Sequence, residues 1–256
     1  MSASKDPRPY IDTHFHLDLY SSPEQTARQI EDKKVYTISV TNTPSVFKHT
    51  EALTRELKYV RPALGLHPEL AAERTSELDL MLDLLPRTRY VGEIGLDYAS
   101  SSQENQRIQR QVFEKILDKC SAEGGKVLTI HSRKAAQDVV SMLRGFHGTP
   151  ILHWYSGSKE TLEQALSNGC YFSANPAMAR TKKFEKLLSW IPKERLLTET
   201  DGPFVEVSGE PAEPKDTSLV VKQISRVWGV SARVGREKIF SNFKRLLQET
   251  QEKNHA

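Results

Sequence analysis

Short apolar runs alternate with longer amphipathic segments eight times along this chain, and few architectures accept that rhythm. The runs are YIDTHFH (10–16), YTISVTN (36–42), VRPALGLHP (60–68), YVGEIGLD (90–97), KVLTIHSR (126–133), TPILHWYS (149–156), CYFSANP (170–176) and RLLTETDG (195–202). Each has the length and composition of a strand. Between them, helical periodicity covers 22–34, 76–87, 105–124, 134–145 and 159–169, several of these segments ending in the glycine common just past a helix C-terminus. Strand and helix in strict alternation predict a parallel sheet, because the crossover helices cover its faces. Eight units predict an α/β fold of the (β/α)8 TIM-barrel type over residues 10–250, since a doubly wound sheet would hold only about six or seven. Residues 1–9 read as a flexible N-terminal extension. The stretch 202–216, GPFVEVSGEPAEPKD, reads as an irregular segment over one rim of the barrel, followed by helices at 217–228 and 231–248.

The bulk properties narrow the class. At 256 residues and 38% hydrophobic content the chain can bury a substantial core. No stretch approaches the roughly 20 apolar residues needed to cross a bilayer, and MSASKDPRP lacks the apolar segment of a secretion signal. Cys120 and Cys170 fit reduced thiols, so a cytoplasmic protein with no membrane partner is expected. The net charge of +3 tolerates a polyanionic substrate but falls short of the basic signature of a dedicated nucleic-acid binder.

Polar residues interrupt the apolar runs at one end. In DTHFH, His14 and His16 point the same way on a strand of period two, so one metal ion can take a nitrogen from each. Glu93, His131, His153 and Asp201 fall toward the C-terminal ends of other strands, the face where such barrels carry their chemistry. Each has a plainer reading, as a hydrogen-bonded core histidine or, for Asp201, a turn cap. An ionised Glu93 among valine, isoleucine and leucine would cost several kcal/mol without a cation or a hydrogen-bond network.

Six such groups suit a pair of divalent ions: His14, His16 and Asp201 on one, His131 and His153 on the other, and Glu93 reaching both. Zinc, manganese and magnesium all remain open. A pair of ions would acidify and orient a water and offset charge on a phosphate, with Asp201 placed to take the proton. His67, Arg133 and Asn175 are candidates to bind a phosphate or a base, although His67 suits its own loop equally well. Trp154 and Tyr155 offer a stacking surface or, alternatively, core packing. Arg180, Lys182 and Lys183 form a small basic cluster, able to track a backbone or simply to face solvent.

These motifs together resemble the TatD family of metal-dependent deoxyribonucleases. The resemblance rests on Asp12, His14, His16 and Leu17, on GEIGLDY (92–98), IHSR (130–133), HWYSG (153–157) and ETDGP (199–203), and on NFKRLL (242–247). It implies hydrolysis of DNA phosphodiesters, possible action from a strand end, and a bridging role for Glu93. One departure is ASSSQENQ (99–106), which lacks the aromatic and arginine that commonly follow GLDY, leaving Arg107 as a substitute only if its loop folds back. LDLY (17–20), GLHPELAAER (65–74) and YFSANPAM (171–178) resemble a branch found in bacterial anti-phage defence cassettes. That branch implies partner proteins; the chain itself reads as a monomer or weak oligomer. The alternatives are an amidohydrolase-like enzyme acting on a small amide or lactone, and a weakly active nuclease-like subunit of a defence complex. In the first class strand 5 commonly carries a modified lysine, where this chain offers His131.

Overall fold

The computed structural model describes residues 8–252, so most of the extension read at 1–9 lies outside the described residues. Eight parallel strands form where the apolar runs are: β1 (Ile11–Phe15), β2 (Tyr36–Val40), β3 (Val60–Ala63), β4 (Tyr90–Gly95), β5 (Val127–His131), β6 (Thr149–Leu152), β7 (Tyr171–Ala174) and β8 (Leu196–Thr198). Nearly every residue in them is buried, as expected for strands covered on both faces. The crossovers carry α1 (Pro23–Lys33), α2 (Pro44–Thr54), α3 (Leu78–Leu84), α4 (Gln103–Glu123), α5 (Ala136–Met142), α6 (Lys159–Ser167), α7 (Pro176–Ala179) and α8 (Lys182–Trp190). After β8 come α9 (Thr217–Trp228) and α10 (Ala232–Glu252).

Local chemistry sets the helix ends. Ser102 and Ser158 accept the N–H of Asn105 and Thr161 at the starts of α4 and α6. Gly229, at φ 66°, closes α9 in the left-handed conformation that glycine reaches without strain. Between strands and helices lies a continuous core that includes Ile38, Leu64, Ile94, Val112, Ile116, Ile130, Val139, Leu152, Leu162 and Phe172.

Strands β1–β3 and β4–β8 form two parallel ladders, and both seams between them are closed. A single bridge, Leu64 to Val91, joins β3 to β4. On the other side threonines replace a regular ladder: Thr198 donates to the Ile11 carbonyl at 2.5 Å, and Thr13 donates to the Thr198 carbonyl at 3.2 Å. The result is the (β/α)8 barrel.

The stretch 202–216 is more ordered than its composition suggested. It forms an antiparallel hairpin of β9 (Glu206–Val207) and β10 (Glu210–Pro211), tied to the body by the Tyr20 hydroxyl, which donates to the Ala212 carbonyl. Ser208 and Gly209, both at positive φ, make its two-residue turn.

Candidate metal centre

The β1–β8 seam sets the first part of the site. Asp12, fully buried, accepts the His14 N–H at 3.2 Å, the Thr200 N–H at 3.0 Å and the Thr200 hydroxyl at 2.5 Å. It thereby clamps the end of β1 to the chain leaving β8. Just beyond, Asp201 N–H donates to the His14 carbonyl and His16 N–H to the Gly202 carbonyl, both at 2.9 Å. His14 and His16, separated from Asp201 by most of the chain, consequently present their Nε2 atoms 3.7 and 3.5 Å from its Oδ1.

Glu93 enters from β4 on an irregularity in the strand, where the pairing with β5 shifts between Val91 and Ile94. Two glycines make room for it. A Cβ on Gly92 would stand 2.1 Å from the Thr129 methyl, and Gly95 combines φ 133° with the His131 carbonyl 2.1 Å from where its Cβ would be. Gly92→Ala is expected to cost about 1–3 kcal/mol, the usual range for overpacking, in a denaturant melt. It should also weaken metal binding, because Thr129 orients His14.

The Glu93 carboxylate lies at the centre of the cluster, and its two oxygens face different groups. Oε2 stands 3.3 Å from His14 Nε2 and 3.4 Å from His16 Nε2; Oε1 stands 2.7 Å from His131 Nδ1 and 2.9 Å from His153 Nε2. The rings are held from behind. His14 Nδ1 bonds Thr129 Oγ1 at 2.6 Å, and His131 Nε2 bonds Asp97 Oδ2 at 2.7 Å, so the opposite nitrogens keep lone pairs for the centre. His153 Nδ1 faces Glu199, which also accepts from Ser173, Asn175 Nδ2 and the Trp154 N–H. Asp97 and Glu199 were not singled out from the sequence, although each stands in a quoted motif beside a candidate ligand, and Asp12 was named there without a role.

The donor set fits divalent ions. Both ring nitrogens of fully buried His16 lack a hydrogen-bond partner. Glu93, Asp97, Glu199 and Asp201 are each at most 4% exposed, and among the described residues none is paired with lysine or arginine. Such a concentration of buried anionic groups calls for cations. Two ligands at about 2.1 Å from one ion stand about 3.0–3.4 Å apart, near the spacing of His14, His16 and Glu93 Oε2. Three overlapping groups share this pocket: His14 with His16 and Asp201, His14 with Glu93 and His153, and Glu93 with His67 and His131.

Protonation separates the two histidine pairs. Burial lowers His14, and lowers His16 to about 4, so both are neutral ligands at pH 7. Burial also lowers His131 and His153, but carboxylates outweigh it, Asp97 then Glu93 for the first and Glu93 then Glu199 for the second, and both end raised. An ion entering beside them must displace protons, whereas one beside His14 and His16 displaces at most the Asp201 proton, whose carboxyl burial pushes up to about 6. Raised ligand pKa values mean that affinity falls as pH falls. Metal titration calorimetry in two buffers of different ionisation enthalpy is expected to resolve two events near pH 7, the weaker one releasing more protons and vanishing first on acidification.

A cleft of about 620 Å³ opens over the centre. His67, Arg133 and Trp154 line it, as do Asn42 and Phe204, which the sequence reading did not select. The Glu69 N–H donates to His67 Nδ1 at 3.2 Å, which leaves the proton of a neutral ring on Nε2, 3.3 Å from Glu93 Oε1. His67 thus meets the centre as a donor, although its position alone would suit a ligand. Tyr155 and Asn175 are elsewhere. Tyr155 is buried against Phe172 with its hydroxyl on the Ser158 carbonyl, and Asn175 caps α7 and supports Glu199. Arg107 pairs with Glu104 outside the cleft, and Arg180 donates to the Glu206 carbonyl.

A sequence model of the family described as TatD related DNase matches residues 11–248. An uncharacterized metal-dependent hydrolase of Methanocaldococcus jannaschii is 26% identical over 93% of this chain and 98% of its own length. A metal-dependent hydrolase of Bacillus subtilis is 30% identical over 85% and 90%. The crystal structure of a TatD homologue from Escherichia coli superposes with a TM-score of 0.81 at 23% identity, covering 93% of this chain and 97% of the other.

Proposed function

The chain belongs to the TatD-related DNase family, and from that premise we propose that this metal-dependent hydrolase cleaves DNA phosphodiester bonds at the C-terminal mouth of its barrel. The observation that carries the reading is the division of Glu93, whose one oxygen faces His14 and His16 and whose other faces His131 and His153. We assign His14, His16 and Asp201 to one cation and His131 and His153 to the other, with Glu93 reaching both. A bound pair of zinc, manganese or magnesium ions supplies Lewis acidity that acidifies water and offsets charge on a phosphate.

The chain's own groups do the rest. Asp201, on the cleft wall, accepts the proton of the attacking water. His67 offers its Nε2–H to a phosphate oxygen, and exposed Arg133 draws the backbone in. Cleavage by a carboxylate-assisted water leaves one new phosphate ester end and one hydroxyl end.

DNA is therefore the proposed partner. Among the described residues no helix is long and apolar enough to cross a membrane. The cytoplasmic setting rests on the two cysteines and the anti-phage cassette with its partner proteins on the sequence resemblance alone; co-purification tests the second and gel filtration the expected monomer or weak oligomer. The function itself is tested with end-labelled single- and double-stranded DNA, chelator-stripped protein, and Mg²⁺, Mn²⁺ or Zn²⁺ added back. Metal-dependent cleavage is expected. Inertness toward DNA with every ion, together with turnover of a cyclic amide or lactone, would overturn the proposal.

A further inference from the structure

Two aromatic side chains stand exposed at the cleft: Trp154 at 39% and Phe204 at 61%. Each adjoins a different half of the centre. Trp154 follows His153 directly in the chain, and the Phe204 ring meets the His16 ring edge-on with centroids 5.0 Å apart. Trp154 is held there at a cost. Its φ is 40°, a left-handed backbone that a bulky residue seldom adopts, and the buried Glu199 carboxylate accepts its N–H at 3.1 Å. Core packing does not account for this, because the same turn sends the next residue, Tyr155, into the core and leaves the indole in the cleft.

A flat apolar surface beside a cation centre and an exposed arginine matches one kind of ligand, an anionic phosphate carrying a planar ring. Resting on the DNase reading above, we infer that Trp154 determines specificity by stacking on the nucleobase next to the scissile phosphate, with Phe204 bordering the same subsite. An indole stacks on a base only after that base has left the duplex. The nucleotide at the cleavage point is therefore unpaired, and its base contributes to binding.

The test compares wild type, Trp154→Ala and Trp154→Phe on a single-stranded oligonucleotide and on its counterpart with one abasic nucleotide at the cleavage position. Circular dichroism and a thermal melt check that each variant folds. Wild type is expected to favour the base-bearing strand about ten-fold through KM, Trp154→Ala to lose that preference, and Trp154→Phe to keep most of it. A second readout does not need turnover. Adenosine 5′-monophosphate is expected to quench the indole fluorescence of wild type but not of Trp154→Ala, since Trp190 and Trp228 lie outside the cleft beside Lys186 and Lys193. Quenching without DNA cleavage would retain the stacking subsite and reject the nuclease. Equal discrimination, or equal quenching, in wild type and Trp154→Ala would overturn the inference.

Discussion

Glu93→Gln is expected to lower hydrolysis by on the order of 10³-fold or more while the chain still folds. The amide keeps the volume of the side chain, so the tight packing around Gly92 is undisturbed. It removes the charge that faces both cation positions, through Oε2 toward His14 and His16 and through Oε1 toward His131 and His153. In the metal-free protein the imidazoles of His67, His14 and His153 hold Glu93 ionised far below the usual carboxylate range, against the pull of burial. Asp97 still faces His131 and Glu199 still faces His153 in the variant, which limits the stability loss to about 1–2 kcal/mol. Elemental analysis of the purified variant should find at most one tightly bound ion per chain. A core-packing role for Glu93 would give the reverse, full activity in whatever fraction remained folded.

Asp201→Asn is the second large effect, expected at about 10²–10⁴-fold in kcat. Asparagine suits the test because Asp201 has φ 55°, and asparagine is among the few residues that accept the left-handed region. The backbone bond from residue 201 to the His14 carbonyl therefore survives, and so does the β1–β8 seam. What disappears is a negative ligand and the group that accepts the proton. With saturating Mn²⁺ the loss should appear in kcat, with KM little changed. An unchanged kcat at saturating metal would assign the proton transfer to another group.

The strands were legible because a parallel strand is buried on both faces, and its sequence reads as an unbroken apolar run. The candidate ligands were legible for the complementary reason. His14, Glu93, His131 and His153 interrupt such runs, where a polar residue has no structural purpose without a partner. The supporting carboxylates were harder to find, because Asp12, Asp97 and Glu199 act on a ligand's other nitrogen or on a backbone amide several strands away, and no periodicity marks that.

Backbone conformation accounts for most of the remainder. The sequence reading offered Trp154 and Tyr155 together as a stacking surface or as core, whereas the backbone at Trp154, with φ 40°, leaves its ring in the cleft and Tyr155 packs into the core. Asn175 was placed correctly at the end of a strand, yet it spends its side chain on the Met178 N–H and on Glu199. The hairpin at 206–211 did have a signal, the Ser208–Gly209 pair, which the surrounding prolines and glutamates obscured.

The most direct measurement is anomalous diffraction from a crystal of the protein equilibrated with Mn²⁺ or Zn²⁺. We expect two peaks inside the barrel mouth, one touching His14, His16 and Asp201, the other touching His131 and His153, with an oxygen of Glu93 on each. A saturated crystal with no peak there, or with one ion bound away from Glu93, would contradict the two-cation centre on which the proposed hydrolysis depends.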